Sequence, residues 1–154
     1  MGKSHKVGRK MFGGEYRHSI DGKGRLMIPA KYRDEIAGES LCLVTAFDEC
    51  LSVYPQSSFR EHTKSLTGIS STDRKMMRMK RYILSNMREV NLDPQGRILI
   101  SQDQRTKANL TKDVVIVGSD DYFEIWDADK WAEVCDFGSP MEMAEEAMAL
   151  GITL

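Results

Sequence analysis

The sequence predicts a mainly β protein with helices, of the α+β class, whose two halves form one pseudo-two-fold body. Three observations predict it. Residues 19–33, Ser-Ile-Asp-Gly-Lys-Gly-Arg-Leu-Met-Ile-Pro-Ala-Lys-Tyr-Arg, return at 91–105 as Asn-Leu-Asp-Pro-Gln-Gly-Arg-Ile-Leu-Ile-Ser-Gln-Asp-Gln-Arg. At a constant offset of 72, Asp21, Gly24, Arg25, Ile28 and Arg33 meet Asp93, Gly96, Arg97, Ile100 and Arg105, and Asp48, Val53, Tyr54 and Phe59 later meet Asp120, Ile125, Trp126 and Trp131. Such self-similarity marks a duplicated unit. Each copy also alternates short apolar runs with turn residues, the mark of short strands. Finally, a unit of about 45 residues can hardly bury enough apolar area alone, whereas two such units can close each other's sheets and protect their edges. If strands exchange between the halves, neither half folds by itself.

Taken in order, residues 1–10 are rich in Lys, Arg, Gly and Ser and read as a basic flexible arm or an extension. A first unit spans 11–56. Its first strand, 11–20, offers Phe12, Tyr16 and Ile20 for burial; its second, Leu26-Met27-Ile28, stops at Pro29. Between them Asp21 accepts backbone hydrogen bonds and Gly24 takes the left-handed conformation of a tight turn, so that the strands meet at a hairpin-like corner. Proline suits the start of a short helix over 30–36, which Gly38 ends. Strands at 41–47 and 51–54 pair across Asp48-Glu49, and Pro55 closes the pair. Connecting helices fill 57–87: Ser57 or Ser58 caps one running to Leu66, and a second covers Asp73–Met87. Met76, Met77, Met79, Tyr82, Ile83 and Met87 supply its apolar contacts. Arg74, Arg78 and Arg81 lie on another side, as a solvated face or as a DNA-facing one.

The second unit, 88–131, repeats the plan: strand 88–92, turn 93–96 with Pro94 at its corner, strand 97–101, a helix at 102–108, and a hairpin of 113–118 and 122–126 around Asp120-Asp121. A helical tail fills 132–154. Met141, Ala144, Ala147 and Met148 give its helix an apolar stripe, for the core or for another subunit.

Composition bounds the function. With 41% hydrophobic and 29% charged residues, the chain is a soluble globular protein, and no run approaches a membrane span. Basic residues at the start lack the apolar run of a signal peptide, so a cytoplasmic location is expected. Cys42, Cys50 and Cys135 have no metal-ligand spacing and read as reduced, buried or half-buried thiols; the histidines lack ligand spacing too. No catalytic constellation, metal site, cofactor or small-molecule ligand is expected. The formal net charge of −1 hides an asymmetry: residues 1–35 carry nine Lys/Arg against four Asp/Glu, and residues 113–154 one against eleven. A neutral total can thus hold a positive face for phosphate.

Each copy carries Asp-x-x-x-Arg, and two readings apply. Asp21 with Gly24, and Asp93 with Gly96, brace a corner; Arg25 and Arg97 hold the corner by salt bridges, or present a fork to phosphate or to the O6/N7 edge of guanine. Arg17, Lys23, Lys31 and Arg33 surround the first corner, whereas Gln95, Gln102, Asp103 and Gln104 accompany Arg105 at the second, so the first is the stronger electrostatic contact.

The stretch Met11 to Arg33, the second Asp93-Pro-Gln-Gly-Arg97-Ile-Leu-Ile and the ending Ala144-Glu-Glu-Ala resemble the MraZ family of bacterial transcriptional regulators, associated with the division and cell-wall gene cluster. The resemblance covers residues 11–154; residues 1–10 precede the usual family start, and Ser101 stands where the first copy has Pro29. It implies a tandem AbrB/SpoVT-like swapped-hairpin β-barrel assembled as a homo-oligomer, a ring of several subunits. The implied partner is double-stranded promoter DNA with repeated short G-rich boxes, bound as a repressor in the nucleoid. Arg25 and Arg97 are then the residues nearest DNA, joined by Lys23, Arg17, Lys31, Arg33 and Arg105. The alternative is an antitoxin-like or structural cytoplasmic assembly protein whose arginine corners serve folding and subunit contacts.

Overall fold

The computed structural model describes residues 10–154; the basic arm expected at 1–10 lies, but for Lys10, outside the described residues. Strands β1 (Glu15–Ser19) and β2 (Arg25–Met27) precede helix α1 (Ala30–Ile36) and strands β3 (Leu41–Val44) and β4 (Leu51–Pro55). Helices α2 (Gln56–His62) and α3 (Arg74–Ser85) lead to β5 (Met87–Val90), β6 (Arg97–Leu99), α4 (Gln102–Lys107), β7 (Asp113–Ser119) and β8 (Tyr122–Asp127). Helices α5 (Ala128–Val134) and α6 (Pro140–Ala149) end the chain.

The halves exchange strands. Six strands form one antiparallel sheet in the order β1-β7-β8-β4-β3-β5, and β2 pairs with β6 in a separate two-stranded ribbon. Each half thus lends its first strand to the other half's hairpin: β1 to β7, and β5 to β3. The ribbon sits on the pseudo-two-fold relation, with Leu26 directly opposite Ile98. Strands that border the expected corners therefore do not pair with each other; each finds its partner in the other half, because a lone half offers no complementary edge.

One core joins the two copies. Leu26, Ile28, Ile36, Leu41, Leu43, Ile98, Ile100, Ile116, Phe123 and Ile125 are fully buried in a single cluster. Phe12, on an isolated bridge to Asp120, packs against Tyr32 and Phe123 at ring-centroid distances of 5.0 and 5.2 Å. Because Leu26 sits at the crossing of the halves, Leu26→Ala is expected to destabilise the fold by about 2–5 kcal/mol. A urea midpoint within experimental error of the parent would contradict this.

The repeat is not strictly constant at 72. Leu41 pairs with Pro55, and Val114 with Asp127, so β3 matches β7 at an offset of 73 whereas β4 matches β8 at 72. One extra residue before β7 is compensated by one fewer in its hairpin, which turns tightly at Asp120-Asp121 between paired Ser119 and Tyr122. Without that compensation a one-residue slip would turn every buried side chain of the strand outward.

Other expectations change locally. The first strand is shorter than 11–20, interrupted by Gly14 at φ 84°. Neither Ser57 nor Ser58 caps α2: Pro55 takes the N-cap, and the Ser57 N–H and hydroxyl donate to Glu39. The helix stops at His62, where the Thr63 hydroxyl donates to the Phe59 carbonyl, and one 3-10 turn follows at Lys64–Leu66. Met87 belongs to β5, and α3 buries none of its side chains. Cys42 and Cys50 are buried thiols and Cys135 is half-buried, as expected. Among the described residues no helix is long and apolar enough to cross a membrane.

Candidate nucleic-acid interface

Two copies of one corner meet at the ribbon. In the first, Asp21 Oδ1 accepts from the backbone N–H groups of Lys23 and Arg25, both at 2.9 Å, and Oδ2 accepts from Arg25 Nε at 2.7 Å. In the second, Asp93 Oδ1 accepts from the N–H groups of Gln95 and Arg97, both at 2.9 Å, and Oδ2 from Arg97 Nε at 2.8 Å. The backbone closes each loop, with the Gly24 and Gly96 N–H groups donating to the Asp21 and Asp93 carbonyls. Pro94 replaces Gly22 without changing the result, since proline already has the angle this turn position requires.

These bonds keep both carboxylates ionised. The Arg25 backbone N–H is the largest influence on Asp21, which partial burial opposes and the Arg25 guanidinium and Lys23 N–H reinforce; its pKa is lowered from 3.8 to about 2. Asp93 shifts the same way, led by the Arg97 backbone N–H. A carboxylate with a depressed folded-state pKa contributes stability that is complete above its unfolded pKa and is lost as pH falls through the folded one. The first corner should therefore weaken between about pH 4 and pH 2, and the second should weaken in the same sense as pH falls below the ordinary carboxylate range. Urea titrations should find a steeper stability loss in that window for the parent than for Asp21→Asn/Asp93→Asn; parallel curves would refute the assignment.

Strand alternation decides what the ribbon presents. Leu26 and Ile98 face the core, so Arg25, Met27, Arg97 and Leu99 share the outer face. Arg25 stands opposite Leu99, and Met27 opposite Arg97. The two arginines are thus diagonal neighbours, about 7–8 Å apart. Each spends Nε on its own aspartate. Among the described residues the terminal nitrogens of Arg25 donate to nothing in the chain, and Nη2 of Arg97 makes a 3.3 Å bond to Gln95 Oε1. The exposed Met27 and Leu99 escape notice unless period-2 alternation is followed through Arg-Leu-Met and Arg-Ile-Leu.

Arg33 and Arg105 have a different setting. Each lies half-buried on a short helix and reaches across to the corner of the other half. Arg105 Nη1 donates to the Ile100 carbonyl at 2.8 Å and Nη2 to Gln102 Oε1 at 2.8 Å, which lays the guanidinium over Gly24. Arg33 covers Gly96 in the same way. The backbone interlocks there too: Ile100 N–H donates to the Gly24 carbonyl at 2.8 Å, and Ile28 N–H to the Gly96 carbonyl at 3.0 Å. Only the folded arrangement brings these partners together, which is why motif spacing does not reveal them.

Glycine is required at this crossing. Gly24 has φ 85°, and a Cβ there would overlap Arg105 Nη1 and lie 2.8 Å from the Ile100 carbonyl oxygen. Gly24→Ala should cost roughly 2 kcal/mol or more, the left-handed penalty plus displacement of the arginine. Gly22→Ala, with open space around its Cβ position, is the control and should stay within about 0.5 kcal/mol of the parent. Equal melting shifts for the two would sink the argument.

The remaining candidate residues lie around the first corner. Lys23 is exposed at its tip, opposite in role to uncharged Gln95; Lys31 is exposed on α1. Arg17 projects from the edge strand β1 and pairs with Glu15 at 3.3 Å. Gln104, buried on α4, carries no signal in its charge or spacing, yet its amide donates to the Leu43 carbonyl across the halves at 2.8 Å.

Comparisons with known proteins bear on this arrangement. A family model described as "MraZ protein, putative antitoxin-like" matches twice in tandem, over residues 11–82 and 83–150. The "Transcriptional regulator MraZ" of Finegoldia magna is 43% identical over 123 residues, covering 80% of this chain and 85% of the relative. Its namesake from Clostridium tetani is 38% identical over 143 residues, covering 92% of this chain and 100% of the relative. That from Corynebacterium jeikeium is 42% identical over 123 residues, with 80% and 85% covered.

Proposed function

This chain belongs to the MraZ family, and from that premise we propose that it is a non-enzymatic, sequence-specific DNA-binding transcriptional regulator. Its target is a set of repeated short G-rich boxes in the promoter of the division and cell-wall gene cluster, where it acts as a repressor in the nucleoid. The observation that carries the reading is the outer face of the β2–β6 ribbon, where Arg25 and Arg97 stand diagonally with their Nε atoms tethered to Asp21 and Asp93. A two-stranded ribbon fits the major groove, and the arginine fork matches the O6/N7 edge of guanine. Tethering limits the side-chain freedom lost on binding. Lys23, Lys31 and Arg17 add phosphate contacts on the first side, and Arg33 and Arg105 support the corners that aim the two forks.

Repeated boxes reward repeated subunits. One ribbon offers few contacts, and a ring of several copies raises the effective concentration of each successive contact enough to offset the cost of bending the DNA. The test is a footprint of the purified protein on the DNA upstream of its own gene, combined with a mass measurement of the complex. Protection of several regularly spaced boxes by a multimer is the expected result. A monomer that binds the repeated-box promoter as tightly as the assembly would contradict the multimer part.

A second reading has its own observation in favour, because each Asp–Arg pair is complete within its corner. In that reading the protein is an antitoxin-like or structural assembly protein, and the arginines only brace the fold. Equal duplex binding by folded Arg25→Ala/Arg97→Ala would select it.

A further inference from the structure

We infer that α3 of one subunit receives α6 of the next, a head-to-tail contact between copies of this chain; the inference rests on the multimer reading above. Both helices are complete elements with no buried side chain. Over 74–85, α3 carries five Lys/Arg and no acid, and among the described residues none of these five enters a salt bridge. Lys75, Arg78, Met79 and Tyr82 follow i, i+3, i+4, i+7 spacing and so form one stripe. Met79 and Tyr82 are 42% and 43% exposed. The Tyr82 hydroxyl donates to the Ala46 carbonyl, and exposed Phe47 packs edge-on against the ring at 5.8 Å, so the apolar part of the stripe is held in place.

Helix α6 is the counterpart. Met141, Ala144, Glu145 and Met148 repeat the same spacing, with Met141 74% and Met148 79% exposed. Residues 131–154 carry five acids and no Lys/Arg. Among the described residues Glu145 and Glu146 make no salt bridge, whereas Glu142 is occupied in the capping box with Ser139. That box fixes where the helix starts, so its stripe is presented as a formed surface.

Two exposed stripes of equal spacing, one joining Met79 and Tyr82 to Lys75 and Arg78 and the other joining Met141 and Met148 to Glu145, each combine apolar side chains with charge of opposite sign and are complementary in character. Ridges of this kind pack as antiparallel or crossed helices at the distances usual for helix pairs. Since the two surfaces differ, the contact is heterologous: each copy offers one acceptor and one donor, and repetition through a closing rotation gives a ring. The ribbon face takes no part in the contact and stays available to DNA.

Charge exchange tests it on the full chain. Glu145→Lys/Glu146→Lys and Lys75→Glu/Arg78→Glu alter only exposed side chains. Sedimentation at equal concentration should find the parent multimeric, each double variant at least tenfold weaker in assembly, and the four-substitution combination restored. Met141→Asp/Met148→Asp, which removes the apolar part, should dissociate like the first pair. Glu145→Lys/Glu146→Lys should bind a duplex carrying a single box as tightly as the parent. A multimeric parent whose double variants keep their mass, or a combination that fails to reassemble, overturns the α3–α6 contact and leaves the multimer reading intact. Loss of thermal stability at unchanged mass would place the contact within one chain and overturns it as well. A parent that is monomeric throughout overturns the multimer reading and this contact together, whereas the footprint stands or falls separately.

Discussion

Neither half of this chain is expected to fold as a monomer when produced alone. A piece covering residues 10–69 keeps the β3–β4 pairing but loses β7 from β1, β6 from β2 and β5 from β3. Its Leu26 loses Ile98, and its Gly24 loses both the Ile100 hydrogen bond and the Arg105 cover. One hairpin with short helices cannot offset the backbone entropy of ordering such a segment. Far-ultraviolet circular dichroism and amide dispersion in NMR should therefore find residues 10–69 and 70–154 unfolded separately at low concentration. Equimolar mixing should restore the sheet. Because the halves are copies, a single half can also pair with itself, and any structure it gains should rise with concentration and sediment as a dimer. A monomeric half with a cooperative unfolding transition would refute the strand exchange as the source of stability.

The second large effect is on DNA. Arg25→Ala is expected to weaken binding to a single-box duplex by about 1–3 kcal/mol, the worth of one bidentate arginine–guanine pair, or roughly 5- to 150-fold. Arg97→Ala should cost less than Arg25→Ala, because Lys23, Lys31 and Arg17 reinforce the first corner while Gln95 and Asp103 accompany the second. On a promoter with several boxes the losses multiply across linked subunits, so the double variant should fall to non-specific binding. Stability should hardly move. Ion pairs open to solvent contribute little to stability, and both aspartates keep their backbone hydrogen bonds after the arginine is truncated. Gel shifts at two salt concentrations, with a thermal melt of each variant, separate the outcomes. Binding lost together with the fold would assign the arginines to bracing, and binding retained with the fold would remove them from the interface.

Which parts of this fold were legible depends on distance along the chain. The corners were legible because Asp, Gly and Arg act within four residues of one another, and their hydrogen bonds are those that residue type and spacing predict. The buried faces of β2 and β6, the β7–β8 turn and the short helices after Ile28 and Ile100 follow from equally local patterns. Helix ends were less legible: Met87 continues the apolar pattern of α3, yet pairing with Val44 draws it into β5. The settings of Arg33 and Arg105 are not legible in the sequence, where they differ little from the other basic residues near a corner. Their half-buried positions over Gly96 and Gly24 give them contacts that proximity in sequence does not encode.

By itself the sequence determined the duplication, the two Asp-x-x-x-Arg corners, the class of fold and the sign of the charge at each end. All of these depend on residue identity at short or regularly repeated spacing. Only the tertiary structure decided which strand pairs with which, where the repeat slips from 72 to 73, and that both arginines emerge on one face of one ribbon. Those outcomes depend on which half supplies the missing edge, a competition between contacts about seventy residues apart that is settled by the burial of a shared core.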